Sequence, residues 1–234
     1  MKKPTKNKYV VVGSRSWSRR IFKEVISSFP GRWYFASKPE KLSADWLEGI
    51  KPKYIFFVHW NWKVPEEIIN KYECVCFHMT DVPYGRGGSP LQNLIIRGLR
   101  RTKLTALRMT HEFDSGPVYF KKDLGLEGNA EEIYLRASYL AAQMIKHIIR
   151  TNPSPVPQKG RVVVFRRRQP KDSEIKKMAN LQKLYNLIRM LDAEGYPRAF
   201  INYRGFRYEF SNAVLDNEKI KACVKIIPLK EKNE

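Results

Sequence analysis

The chain has few cysteines and no long apolar run. Its three cysteines, Cys74, Cys76 and Cys223, are an odd number without the C-x-x-C spacing of a zinc site. That argues against a disulfide framework and favours a reducing cytoplasmic compartment. No run approaches the roughly 18 apolar residues that span a membrane, so we expect no membrane insertion. The apolar stretch at residues 9–13 is shorter than a signal-peptide core of about 7 to 15 residues and predicts a first strand.

Acidic residues are scarce relative to basic ones. The chain has 44 Lys and Arg against 23 Asp and Glu, a formal net charge of +21. Such an excess favours an anionic partner, namely nucleic acid, an acidic membrane surface or a phosphorylated substrate. It equally serves solubility in a lysine-rich chain, because the charge is spread along the sequence apart from the arginine run at residues 166–168.

Strand-like and helix-like apolar patterns alternate along the first 150 residues. Strands are predicted at 8–12, 32–36, 53–60 and 73–79, with helices between them, and 53–60 is apolar throughout, as in a sheet covered on both faces. Residues 102–110 alternate like an antiparallel or edge strand, and 130–150 form a long amphipathic helix. The pattern predicts an α/β fold with a Rossmann-like, doubly wound, mostly parallel sheet.

A Pro- and Gly-rich segment, TNPSPVPQKG, interrupts this pattern. We expect a core domain at residues 1–150, a linker at 151–160 and a small C-terminal α+β appendage at 161–234. The appendage is predicted to contain a basic helix around 173–191, a β-hairpin about Arg204 and Gly205, and a last strand in KACVKIIPL.

Two predicted strands end in histidine, His59 in FFVHWNW and His78 in CVCFHMTD. In open α/β sheets, active sites form beyond the carboxyl ends of the strands. Asp114 stands later in the chain, before a Ser-Gly-Pro turn. Imidazole can donate to a developing oxyanion and a carboxylate can take or return a proton. The pattern alone also allows a structural histidine and a turn-forming aspartate.

Residues 85–88, GRGG, follow His78 after a turn. Glycine has no Cβ and tolerates positive φ, so this segment lets the backbone approach a ligand closely. The spacing differs from the G-x-G-x-x-G of a dinucleotide-binding turn.

The stretch HMTDVPYGRGGSPLQNLIIRG resembles the signature loop of the 10-formyltetrahydrofolate-dependent formyltransferases. That loop reads His-x-Ser-x-Leu-Pro, then Arg-Gly, then a Pro that opens a helix. The residues that fall on it are His78, Thr80, Pro83, Arg86, Gly87 and Pro90. Residues 113–116, FDSG, fall on the family's second signature, a Leu-Asp-Thr-Gly-like turn with the catalytic aspartate. The resemblance covers about residues 54 to 150 and is strongest to the bacterial nucleotide-sugar N-formyltransferases.

The resemblance implies an enzyme, with residues 1–150 as its catalytic domain, that moves a formyl group from 10-formyltetrahydrofolate to a primary amine without a metal ion. His78 would donate to the oxyanion of the tetrahedral intermediate, and Asp114 would accept the proton of the amine. The cofactor-binding candidates that it implies are Trp60, Trp62, Arg86, Gly87, Gly88, Thr110, His111 and Glu112. The substrate-binding candidates are Met79, Thr80, Asp81 and Tyr84.

One position departs from the family pattern. The family usually has Asn-x-His, whereas this chain has Cys76 two residues before His78. A thiol is a poor hydrogen-bond donor, so we expect a water molecule, Asn61 or His59 to share the oxyanion stabilisation, with Asn61 as the tentative third catalytic residue. Asn61 as a plain turn residue is the alternative. Cys76 itself is expected to be a buried, inert thiol.

The expected acceptor is a nucleotide-linked amino deoxysugar of surface-glycan biosynthesis, with UDP or dTDP as the nucleotide. The tRNA enzymes of the family carry a longer C-terminal barrel, which argues against nucleic acid as the partner. A methionyl-tRNA formyltransferase-like enzyme remains an alternative, as does a basic, non-catalytic nucleic-acid-binding protein that uses residues 166–168. Residues 195–210 alternate aromatic and basic side chains, which suits a hairpin with one packed face, a platform for bases or the interface of a homodimer.

Overall fold

The computed structural model describes residues 7–229; the basic residues 1–6 that precede the predicted first strand lie outside the described part. The strands are β1 (Lys8–Val12), β2 (Arg32–Ala36), β3 (Tyr54–Phe57), β4 (Cys74–His78), β5 (Tyr84–Gly87), β6 (Arg101–Arg108), β7 (Val118–Gly125), β8 (Val163–Phe165), β9 (Ala199–Tyr203), β10 (Phe206–Asp216) and β11 (Lys219–Pro228). The α-helices are α1 (Ser16–Glu24), α2 (Ala44–Ile50), α3 (Glu66–Lys71), α4 (Pro90–Ile96), α5 (Ala130–Thr151) and α6 (Leu181–Arg189).

A six-stranded sheet in the order β2-β1-β3-β4-β6-β7 carries the α/β fold. Strands β2, β1, β3 and β4 pair in parallel, and β6 pairs antiparallel with β4. All four residues of β3 are buried, as expected for a strand that helices cover on both faces. The prediction of an α/β, mostly parallel core with a small C-terminal α+β part is confirmed, and the antiparallel character predicted for 102–110 is observed in β6.

The chain groups into two compact units. The first comprises residues 7–87, 102–124 and 134–164, and the second comprises residues 88–101, 125–133 and 165–229. Residues 151–164, which include the segment predicted as a linker, belong to the first unit. Within that unit Val156 forms a backbone bridge with Val118, with N–H to O distances of 2.7 and 2.8 Å. The division into core, linker and appendage stays a prediction.

The second unit contains the predicted hairpin. Strands β9, β10 and β11 form an antiparallel sheet, and Arg204 and Gly205 in its first turn have φ of 45° and 78°. Two positive φ values at the centre of a two-residue loop match the twist of the strands that it joins. Helix α6 begins at Leu181 rather than near residue 173, because the Asn180 side chain accepts from Lys183 N at 2.9 Å and caps it there.

Strands β5 and β8 were not predicted. The sequence of β5 is YGRG, and glycine has low strand propensity, so only pairing with β8 makes it extended. The predicted strand at 53–60 ends early, at Phe57, and His59 takes a left-handed φ of 54°. Within the described part of the chain, no helix is both long and apolar enough for a membrane crossing.

Candidate active site

His78 is the last residue of β4, at the carboxyl end of a central strand. Its side chain is buried, and its Nε2 lies 2.8 Å from the carbonyl oxygen of Gly85. A turn over residues 79–83 leads from β4 to β5, and Gly85 has a φ of 79° that glycine adopts without strain. The glycine-rich loop after His78 therefore turns a backbone carbonyl towards the imidazole.

Asp114 lies in the turn between β6 and β7 and meets His78 in space. Its Oδ1 is 3.3 Å from His78 Nδ1, and its Oδ2 accepts from the backbone N–H of Gly87 at 2.9 Å. Gly87 also has a positive φ, 94°. The GRG segment thus presents a carbonyl to the imidazole and an N–H to the carboxylate. The structure brings together the two residues that the sequence singled out.

The contacts of this pair bear on where a proton would lie. A carbonyl oxygen only accepts, so the Nε2 that faces Gly85 carries a proton. The contact between Nδ1 of His78 and Oδ1 of Asp114 then needs one more proton, because an unprotonated nitrogen and a carboxylate repel each other. That proton sits on either atom, as imidazolium with carboxylate or as imidazole with carboxylic acid. The structure thus places an imidazole and a carboxylate, two groups that can donate and accept protons, 3.3 Å apart.

The turn that carries Asp114 is held by hydroxyl contacts and by a close backbone approach. Thr110 Oγ1 and Ser115 Oγ are 2.9 Å apart, and both hydroxyls donate to the carbonyl of Glu112. A Cβ on Gly116 would lie 1.9 Å from the carbonyl oxygen of Arg108, so this position admits only glycine without a backbone shift. Asp114 itself has a left-handed φ of 56°, a conformation that aspartate and asparagine adopt more readily than other residues with a side chain.

Gln158 contacts both strand β5 and the turn that carries Asp114, and nothing in the sequence singled it out. Its Nε2 donates to the carbonyls of Asp114 and Gly116, both at 2.8 Å. Its Oε1 accepts from Nε and Nη2 of Arg86 at 3.1 and 2.8 Å. The residue stands in the Pro- and Gly-rich segment at 151–160, whose composition indicates a linker and gives no sign of these contacts.

Gly88 has a structural contact of its own in the second unit. Its N–H donates to the carbonyl of Phe165 at 3.0 Å, and a Cβ on it would lie 2.4 Å from Cβ of Arg167. The glycine at this position is therefore explained by the close passage of the chain around residues 165–167.

A cavity opens beside Asp114 in the first unit. Its wall contains Trp62, and its other lining residues are Lys63, Val64, Glu66, Ile69, Cys76, Leu107, Met109, Thr110, His111, Glu112, Phe113 and Asp114. Trp60 packs edge-on against Trp62, with ring centroids 4.7 Å apart, and contributes to the wall from behind. His111 is exposed, with its Nδ1 3.5 Å from Glu66 Oε2. Four of the cofactor-binding candidates, Trp62, Thr110, His111 and Glu112, thus line one cavity together with apolar side chains and the carboxylates of Glu66 and Asp114.

The two side chains proposed to replace the family asparagine face elsewhere. Asn61 is exposed, and in the amide orientation that satisfies both of its polar atoms it accepts from Nε and Nη2 of Arg15 at 3.1 and 3.0 Å. His59 turns inward, with Nε2 3.0 Å from Ser138 Oγ. Burial, opposed in part by a backbone contact and aided by the charge of Arg15, lowers the pKa of His59 to about 4. Neither contact points to His78.

Cys76 itself lines the cavity beside Asp114. Burial, with a smaller effect from the Asp114 carboxylate, raises the pKa of the Cys76 thiol well above its usual range. Its sulfur is therefore a neutral thiol at neutral pH, the form that is inert as a nucleophile.

The acceptor-side candidates divide by burial. Met79 and Thr80 are buried, and Thr80 donates to the carbonyl of Gly85 while accepting from Thr105 at 2.7 Å through its own carbonyl. These contacts build the turn after β4. Asp81 is exposed and pairs with Lys121 at 2.5 Å, and Tyr84 is half-buried. Only these last two have side chains at the surface.

The second unit contains a groove with a volume of 840 Å³. Six of its lining residues are basic and two are acidic, which makes it positive. The basic residues are Arg166, Arg168, Lys171, Lys176, Lys177 and Lys183, and the acidic ones are Asp172 and Glu174. Two arginines of the run at 166–168 therefore belong to one concave surface.

The chain is similar to known proteins in sequence and in fold. Residues 170–227 match the family model described as methionyl-tRNA formyltransferase, C-terminal domain. A methionyl-tRNA formyltransferase of Thermodesulfovibrio yellowstonii is 27% identical over 164 residues, which cover 65% of this chain and 53% of that protein. The chain thus spans about half the length of the curated relatives that it matches.

Solved structures extend the similarity over the whole chain. The methionyl-tRNA formyltransferase from Clostridium thermocellum is 44% identical, with a TM-score of 0.90 and coverage of 95% of this chain and 99% of that one. A 4-N formyltransferase from Francisella tularensis shares the fold, with a TM-score of 0.67 and 16% identity over 96% of this chain and 98% of that one. On the full-length similarity to the Clostridium protein, this chain belongs to the formyltransferase family.

Proposed function

We propose that this chain transfers the formyl group of 10-formyltetrahydrofolate to the amino group of methionyl-tRNA. The observation that carries the reaction is the His78–Asp114 pair at the wall of the cavity. The choice of acceptor is supported by the 44% identity to a protein named methionyl-tRNA formyltransferase.

Methionyl-tRNA replaces, in this proposal, the nucleotide-sugar acceptor that we expected from the sequence. The 4-N formyltransferase from Francisella tularensis is only 16% identical to this chain. The C-terminal segment is shorter than the barrel expected of a tRNA enzyme, yet residues 170–227 match the family model of the methionyl-tRNA formyltransferase C-terminal domain. The basic groove adds support, since positive side chains neutralise backbone phosphates and release counterions.

The lining of the cavity matches the chemistry of the formyl donor, although its volume of about 50 Å³ is smaller than a pterin, so the lining side chains would have to move apart when the donor binds. A pterin needs a flat apolar slot with polar groups at its edge, and here Trp62, Leu107 and Met109 provide apolar walls while the turn at 110–114 provides the polar edge. When bound, 10-formyltetrahydrofolate supplies an electrophilic formyl carbon.

The pair performs the proton transfers. Asp114 would take the proton of the acceptor nitrogen as that nitrogen bonds to the formyl carbon, and would return a proton to the donor nitrogen as its bond to that carbon breaks. The Nε2–H of His78 donates to the Gly85 carbonyl, and Nδ1 faces the Asp114 carboxylate. With a proton on both ring nitrogens, the positively charged imidazolium would stabilise negative charge on the formyl oxygen.

The test is a formyl-transfer assay with 10-formyltetrahydrofolate and a panel of acceptors, read by the increase in product mass. The panel contains methionyl-tRNA and UDP- and dTDP-linked 4-amino and 3-amino sugars. We expect turnover with methionyl-tRNA that is lost in His78→Ala and Asp114→Asn. Turnover with a sugar and none with methionyl-tRNA would contradict the proposed acceptor. No turnover with any acceptor, together with tight tRNA binding, would favour a non-catalytic nucleic-acid-binding protein.

Cytoplasmic localisation and a homodimer stay predictions. Light scattering of the purified chain measures its mass directly and decides between monomer and dimer.

A further inference from the structure

We propose that Gln158 is a positioning residue. Its side-chain amide binds the turn that carries Asp114 to Arg86 of β5, and this holds the Asp114 carboxylate beside His78. The catalytic meaning of this role rests on the proposed function, but the geometric role does not. The juxtaposition of Gln158, Arg86 and the 114–116 turn carries the inference.

The hydrogen bonds of Gln158 are complete. A primary amide offers two donors and an oxygen with two lone pairs. Both N–H groups donate to backbone carbonyls of the turn, and the oxygen accepts twice from one guanidinium group. An amide is the only common side-chain group that can donate to two carbonyls and accept from an arginine at once, so the contacts select glutamine at this position.

The segment around Gln158 is fixed to the first unit on both sides. Two residues earlier, Val156 exchanges two backbone hydrogen bonds with Val118 of β7. Further along, Val163 donates to the carbonyl of Pro83 at 3.1 Å, at the start of β5. Gln158 is half-buried, whereas the neighbouring Pro157 and Lys159 are exposed. The amide is therefore held in place rather than carried on a mobile connection.

The turn that carries Asp114 depends on contacts with its backbone. Asp114 has a left-handed φ of 56°, which aspartate adopts more readily than most residues with a side chain, so the backbone there can take other conformations unless its carbonyls are held. Gln158 binds the carbonyls of residues 114 and 116 and so fixes the backbone on either side of Ser115. Without it, the carboxylate can leave the N–H of Gly87 and Nδ1 of His78 together.

The structure also supplies a direct reporter. The backbone N–H of Gly87 donates to Asp114 Oδ2 at 2.9 Å, so its amide proton signal and its hydrogen exchange depend on where that carboxylate lies. Asp114→Ala gives the reference signal for a Gly87 amide without its acceptor. This readout needs no substrate.

The experiment compares Gln158→Leu, Gln158→Glu and the control Gln143→Leu by NMR of the Gly87 amide and by steady-state kinetics with methionyl-tRNA. Gln143 is exposed on α5 and contacts Lys122 at 3.2 Å. Gln158→Glu keeps the acceptor for Arg86 and loses both donors. We expect both Gln158 variants to move the Gly87 amide towards the Asp114→Ala reference and to lower kcat about tenfold to a hundredfold, with KM for the formyl donor unchanged.

Three outcomes would overturn the proposal: a wild-type Gly87 amide in both variants, a kcat of Gln158→Leu within twofold of wild type, or a loss confined to KM. If Gln158→Glu alone behaved like the wild type, the important contact of Gln158 would be the one with Arg86, and the proposed hold on the turn would be wrong. If the wild-type chain formylates no acceptor, the proposed function fails, and the Gly87 amide still decides whether Gln158 positions Asp114.

Discussion

Nδ1 of His78 lies 3.3 Å from Oδ1 of Asp114, although one residue ends a parallel strand and the other lies in a turn between antiparallel strands. Strand β6 runs antiparallel to β4, with Arg108 beside Val75 and Thr105 beside His78, so the chain after Arg108 has to turn back along β4 to bring Asp114 to His78. The other ring nitrogen of His78 contacts the carbonyl of Gly85, and the other carboxylate oxygen of Asp114 accepts from the N–H of Gly87.

Replacing Asp114 by Asn should abolish most of the activity without unfolding the protein. The amide oxygen can still accept from the Gly87 N–H, but the side chain can no longer take the proton of the acceptor amine. We expect kcat to fall about 10²- to 10⁴-fold. Asp123→Asn makes the same chemical change at an exposed side chain that pairs with Lys103, and should leave kcat unchanged. A fall of less than tenfold in Asp114→Asn would contradict the proton-transfer role.

Replacing Gly116 by Ala should destabilise the protein and displace the catalytic turn. The new Cβ would meet the carbonyl oxygen of Arg108 at 1.9 Å, so the backbone must move. We expect the free energy of unfolding to fall by about 1–3 kcal/mol, measured by urea denaturation. Gly49→Ala is the matched control, since a Cβ there meets no described atom within 4 Å and the site lies in α2. It should stabilise the protein by about 0.5–1 kcal/mol. Equal stabilities of the two variants would refute the clash.

His59 should make stability depend on mildly acidic pH. Burial lowers its pKa to about 4 in the folded chain, whereas the unfolded value is about 6.5. Between these values the unfolded state binds a proton that the folded state does not, so stability falls as pH falls from about 6.5 to 4. The loss attributable to His59 is about 3 kcal/mol.

His59→Asn isolates this contribution, because asparagine tolerates the left-handed φ of 54° at this position. Chemical denaturation at pH 7 and at pH 4 should show that the variant loses about 3 kcal/mol less stability than the wild type. Parallel losses in the two proteins would mean that His59 is not buried in its neutral form.

The basic groove should account for part of the salt dependence of tRNA binding. Each phosphate contact contributes roughly 0.9 to the slope of log K against log salt. We expect Lys176→Ala with Lys177→Ala to reduce that slope by about 2, measured by fluorescence titration over a series of salt concentrations. The matched pair Lys219→Ala with Lys221→Ala removes two exposed lysines of β11 that do not line the groove, and should change the slope little. Identical slopes for the two double variants would mean that the groove does not contact tRNA phosphates.

The sequence predicted the elements whose signals are local. Strands β1 and β3 follow from apolar runs and the hairpin follows from Arg204-Gly205, whereas His78 and Asp114 were singled out by their resemblance to two family motifs. It missed features that depend on partners distant in the chain. Strand β5 forms because it pairs with β8, which is distant in the sequence. The contacts of Gln158 form because the proline-rich segment that carries it packs against the turn at Asp114. Asn61 and His59 were singled out by their place at a strand end, but the turn after β3 directs them to Arg15 and Ser138.

The partners of the His78–Asp114 pair on the GRG loop are main-chain atoms, the carbonyl of Gly85 and the N–H of Gly87. Replacing the Arg86 side chain leaves these two atoms in the chain, whereas Gly85 and Gly87 have positive φ values that favour glycine. Inserting or deleting one residue between His78 and Gly87 would shift which backbone groups face the imidazole and the carboxylate. The site therefore depends on the length of this segment as well as on its two glycines.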